Sequence, residues 1–232
     1  MCTLIRLGIN SVYSGRLPTP TAFIGLLSPC DGANMLHNAI ANNKEWRNVP
    51  TFCNDPPYLE SDRSVAFFAD ELRRMVAFLE KQTGAKLDFK RLREVIKESN
   101  KQYELWAEYN ELRRAVPCPH SAALGAQAWN VAQNFMVGDP RGTKWFRDLV
   151  GIAEQRVKEG KGSVPNERIR LFWFDIRAIW LPELTEWLKR EWGACIVMDM
   201  MGYASQTLVD TSTEKSIFRD LAKRNLCELP MV

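Results

Sequence analysis

Two runs of buried-strand character separated by one short helix constrain this chain most. "RIRLFWFD" (168–175) is bulky and apolar, and "ACIVMDM" (194–200) is apolar almost throughout. Between them "PELTEWLKREW" has helical spacing, opens on Pro182 and stops at Gly193. Antiparallel neighbours need only a turn, whereas parallel ones need a crossover, so strand, helix and strand predict a right-handed βαβ unit in a parallel sheet. A further helix, predicted over 213–224, starts the next crossover.

The N-terminal part repeats the theme. A helix is predicted around residues 3–14, then a turn at Ser14-Gly15, a Pro-x-Pro stop and a short strand over 22–27. The next helix starts after Asp31-Gly32 and carries Met35, Leu36, Ala39 and Ile40 at helical spacing. A second strand, 49–53, is stopped by two prolines.

From Ser61 the texture changes. Val65, Phe68, Leu72, Val76 and Leu79 recur at three and four, with Ser61 or Asp62 as N-cap and Gly84 as terminator. After Asp88 a similar period runs for about 27 residues until Pro117 and Pro119. Two more helices are predicted around 121–137 and 143–159. The domains expected are a first α/β lobe over 1–60, a helical region over 61–165 and an incomplete second α/β lobe over 166–232.

Composition narrows the function classes. The 232 residues carry 31 basic and 28 acidic side chains, spread without a block of one sign, so nucleic acid is not an expected partner. No apolar run reaches the ~18 residues of a membrane span, and no signal-peptide pattern opens the chain, so a cytoplasmic location is expected. The six cysteines form no CxxC pair, which argues against a zinc ribbon or thioredoxin-type site. There is no GxGxxG, P-loop, HExxH or nucleophile elbow.

In open α/β sheets ligands sit outside the carboxyl ends of the strands. That rule singles out "SPCDG", "CNDPPY", "FDIRAIW" and "DMMGYAS". Cys30 and Cys53 fall on such loops, each with an acid beside it, Asp31 or Asp55. Two readings of Cys30 stand at this point. It is a thiolate stabilised by the N–H groups of a helix start, or a small filler in a turn that Asp31 caps and Gly32 relieves. Cys118 and Cys195 read as structural, and His37 and His120 as surface or capping histidines. Asp175 and Arg177 lie on the loop between Trp173 and Trp180, as a structural pair or as an anion site. The aromatic run from Phe172 to Trp180 reads as core in its strand half and as a flat apolar wall in its loop half.

Several phrases taken together, "PCDGANML", "VPTFCNDPPY", "FFADELRRMVAFLEKQTGAKLDFKRLREVIKESN", "RLFWFDIRAIWLPELTEWLKREWGACIVMDMMGYAS" and "RDLAKRNLC", resemble the family of 2-hydroxyacyl-CoA dehydratase and benzoyl-CoA reductase subunits. The resemblance implies an α/β fold, flavodoxin-like parallel-sheet lobes, here partial, with a helical region between them. It also implies a [4Fe–4S] cluster that receives single electrons from an ATP-hydrolysing activator protein and acts on an acyl-CoA, within a heterodimer with a homologous second subunit. Matched residue by residue, the cluster ligands are Cys2 and Cys30. A third ligand has no match and is expected past Val232, so the chain resembles a fragment that is inactive alone. Asp175, Arg177 and Tyr203 are the expected substrate contacts. "LFWFDIRAIW" resembles the benzoyl-CoA reductase branch more than the dehydratase branch. The alternative is a cluster-free acyl-CoA-binding or scaffold subunit of such a complex.

Overall fold

The computed structural model describes residues 3–27, 31–174, 177–178, 180–202 and 207–227. The chain forms two compact units, one of residues 1–89 with 212–232 and one of residues 90–211.

In the first unit, α1 (Thr3–Tyr13) precedes β1 (Phe23–Leu26), α2 (Asp31–Asn42) and β2 (Thr51–Asn54). β1 and β2 are parallel, with Phe23 opposite Thr51 and Gly25 opposite Cys53. β2 starts two residues later than its hydrophobicity suggests, because the N–H of Val49 is spent on a turn with Trp46 O. Val12, Ile40 and Trp46 are buried together beneath this sheet, with Phe23 edge-on to Trp46. α3 (Asp62–Thr83) begins as predicted, Ser61 Oγ accepting from Ser64 N at 3.0 Å, and ends at Gly84 in the left-handed region. Phe68 and Ala69 of α3 pack against Phe218, Ala222 and Leu226 of α8 (Glu214–Cys227). Burying a side chain the size of Phe68 contributes roughly 2–3 kcal/mol, so this seam stabilises the unit's long helix.

The second unit is built on α4 (Phe89–Leu112), α5 (Ala122–Asn130) and α6 (Pro140–Lys158). Trp106, Tyr109, Phe146 and Ala153 are fully buried at its centre. Gln102, also fully buried, holds the turn before α6: its amide donates to Met136 O and Asp139 O and accepts from Gly138 N. α5 stops short of the predicted 137 and widens into a π-turn over Val131–Phe135 ahead of that turn. α6 starts three residues early, at Pro140, because Asp139 caps it.

α4 also stops early, at Leu112, and its last amides tighten into three-residue steps. The cause is a side chain. Arg170 donates to the carbonyls of Arg113, Arg114 and Ala115; Pro117 and Pro119 lack the amides that would serve the first and last of these in a continuing helix, and Cys118 N is spent on Glu167.

β3 (Ile169–Trp173), α7 (Pro182–Trp192) and β4 (Ala194–Asp199) make the predicted crossover. The strands are parallel, Ile169 opposite Ala194 and Trp173 opposite Asp199, with one irregularity at Leu171/Phe172. The architecture is α/β: two small parallel sheets with helices between them in the chain, as partial flavodoxin-like lobes carry. Among the described residues no helix is long and apolar enough to cross a membrane.

Candidate functional site

At the carboxyl end of β1, sequence and packing bring two helix starts to one edge. A Cβ on Gly8, five positions into α1, would lie 3.4 Å from Leu36, five positions into α2. Further along, Tyr13 OH donates to Ala39 O at 2.9 Å. The contacts advance in step, so the helices run the same way and Thr3 and Asp31 stand at the same end. Each helix start presents unpaired N–H groups and the positive end of the macrodipole. Cys2 and Cys30, which immediately precede these helices in sequence, lie outside the described residues, as do Asp175 and Tyr203.

His37 corrects the expectation of a surface or capping histidine. Its ring lies over β1, 5.3 Å from Phe23 in an edge contact, and its Nε2 is 3.3 Å from Leu26 O. A carbonyl only accepts, so Nε2 carries the hydrogen and Nδ1 is left buried without a protein donor. The ring fits because residue 25 is glycine, since a Cβ there would fall 1.6 Å from the imidazole. Cys53 is corrected as well: it lies within β2, half-buried, and burial raises its thiol pKa.

In the second unit the carboxyl end of β4 holds a buried polar cluster. Asp199, 1% exposed, accepts from Arg177 Nε at 3.1 Å and from Gly202 N at 2.9 Å. Arg177, one of the expected substrate contacts, is thus tied through Nε to a carboxylate that the sequence reading did not select. Asn110 donates to Gly202 O, and Asn110 Oδ1 accepts from Arg113. Arg113 is itself fully buried and donates to the carbonyls of Val197 and His120. These polar residues escaped the sequence reading because each lies within an apolar or helical pattern. The only local signal was an arginine just before the break "AVPCPH".

Beside that cluster Cys118, His120 and Cys195 are buried. His120 is held down to about 4 by burial and by the Arg156 and Arg113 charges, so its ring is neutral near pH 7. Tyr109, whose ring lies 5.8 Å from that of His120, has its hydroxyl pushed well above the ordinary range by burial. The strand half of the aromatic run is not core: Phe172 is 62% exposed, with Leu171 and Trp173 half-buried. Successive strand residues point to opposite faces, and only the face of β3 that carries Leu171 and Trp173 is partly covered. Phe174 and Trp180 of the loop half are exposed.

Among the described residues no three His, Cys, Asp or Glu side chains stand close enough together to hold a metal ion. A family model described as 2-hydroxyglutaryl-CoA dehydratase, D-component, matches residues 1–232. No curated protein matches the chain.

Proposed function

The chain belongs to the 2-hydroxyglutaryl-CoA dehydratase D-component family, and on that premise we propose that it serves as an iron–sulfur component acting on a CoA thioester. The observation that carries the finer part is the in-step packing of α1 on α2, which puts the two helix starts that follow Cys2 and Cys30 at one edge of a parallel sheet. Two helix N-termini side by side favour anionic thiolates, and an iron–sulfur cluster bound through thiolates is such an anion. Two cysteines are fewer than the four ligands a four-iron cluster takes, so the proposal requires further ligands beside Cys2 and Cys30. When bound, the cluster would supply single electrons for the chemistry of the acyl group.

The chain's own residues then bind and orient. Asp175, Arg177 and Tyr203, which follow β3 and β4 in the sequence, are proposed to contact the acyl-CoA, with Asp199 fixing the Arg177 guanidinium. An ATP-hydrolysing activator and a homologous second subunit, all in the cytoplasm, complete the proposed assembly. The family supports dehydration of a 2-hydroxyacyl-CoA, and "LFWFDIRAIW" supports a benzoyl-CoA reductase-like variant. Assaying both products with the reconstituted partners separates these.

The test is anaerobic reconstitution with iron and sulfide, read by iron content and visible absorbance. Iron should bind when the chain is reconstituted together with the component that supplies the remaining ligands, and Cys30→Ala or Cys2→Ala should each remove at least half of it. Unchanged iron in both variants sinks the ligand assignment. Acyl-CoA binding without iron in that unaltered assembly would favour the cluster-free binding subunit.

A further inference from the structure

We infer that Cys118 and Cys195 form a peroxide-responsive thiol pair, closing to a disulfide that ties the turn after α4 to β4. This inference does not rest on the proposed iron–sulfur role.

Both thiols are free and fully buried, and with Val164 they form one small buried cluster. Cys118 Sγ donates to His120 O at 3.0 Å, and Ser163 Oγ stands 3.7 Å from Cys195 Sγ. Their backbones hold them there. Cys118 N donates to Glu167 Oε2 and Cys118 O accepts from Ser163 N, while Cys195 lies in β4 opposite Arg170.

The polarity of the pair picks the nucleophile. The S–H of Cys195 and the Arg113 and Arg170 charges favour the Cys118 thiolate against its burial, while the same pairing and burial push Cys195 far up. Access comes from a cleft of about 540 Å³ lined by Pro117, Arg156, Gly162 and Val164. Val164 is itself part of the small apolar cluster around the two cysteines, so the sulfurs lie one side chain below the cleft. That depth suits a small oxidant, hydrogen peroxide, and excludes a protein disulfide.

The chemistry balances with peroxide as the oxidant. The Cys118 thiolate attacks one peroxide oxygen, the O–O bond breaks, and a sulfenic acid and hydroxide result. Hydroxide takes the Cys195 proton, the Cys195 sulfur attacks the sulfenic sulfur, and its hydroxyl leaves and, with one proton, becomes the second water. In sum two thiols and one peroxide give one disulfide and two waters.

The experiment treats the native chain, prepared anaerobically, with a small excess of hydrogen peroxide, then counts thiols after denaturation and maps tryptic peptides. Expected are a fall from six thiols to four, and a linked pair of peptides 115–141 and 191–215 that dithiothreitol releases. Cys195→Ser should abolish the linked pair and drive Cys118 on to sulfinic acid. The inference is overturned if the thiol count stays at six, if links scatter among other cysteines, or if the pair links only after denaturation. The wild-type peptide map decides the question even if the variant fails to fold.

Discussion

The imidazole of His120, 8% exposed and neighboured by Arg113 and Arg156, shows how a single buried side chain sets a pH response. Its pKa falls from 6.5 in the unfolded chain to about 4 in the fold, so between these values the unfolded state binds the extra proton. Stability is therefore complete above about pH 6.5, declines as pH drops, and stops declining below about 4 on this account. The loss reaches at most about 3 kcal/mol, and His120→Gln should flatten that part of a urea-midpoint profile taken across pH. An unchanged profile in the variant would show that the ring is hydrated in the fold. Gly25 illustrates a different residue-scale rule: its lack of a side chain is what admits the His37 ring.

For elements, the end of α4 depends on a residue of β3. Arg170 serves three helix-end carbonyls and also pairs with Glu167, whose side chain is 2% exposed. Arg170→Ala leaves those carbonyls and a buried carboxylate with fewer donors, a loss of about 2–4 kcal/mol in denaturant unfolding. Hydrogen exchange should quicken over the last turn of α4 and spare its middle, where Trp106 is fully buried. Lysine should rescue little, because one ammonium cannot span the carbonyls and the carboxylate as a planar fork does. A full rescue by Arg170→Lys would mean that charge alone holds the turn. The element boundaries that the sequence misplaced, at α4 and at the π-turn after α5, are those set by such distant side chains.

Taken as a whole molecule, the chain relies little on surface charge. Among the described ion pairs, only Arg177–Asp199 has both partners buried, and most of the others join residues three or four apart in the sequence. Exposed pairs of this kind contribute little and are screened by salt. Raising sodium chloride from low salt to about 0.5 M should thus change unfolding free energy by less than about 1 kcal/mol, measured from urea curves; a larger drop would reveal a charge network between elements. The two parallel crossovers, the helix run between them, the Ser61 cap and the Gly84 stop were legible in the sequence, because hydrophobic period and capping act over a few neighbouring residues. The Arg177–Asp199 pair, the His37–Gly25 contact, the Cys118–Cys195 pair and the common end of α1 and α2 came only from tertiary structure. Each joins residues whose partners are chosen by chain crossings and close packing, and local periodicity carries no record of which distant side chain will arrive opposite.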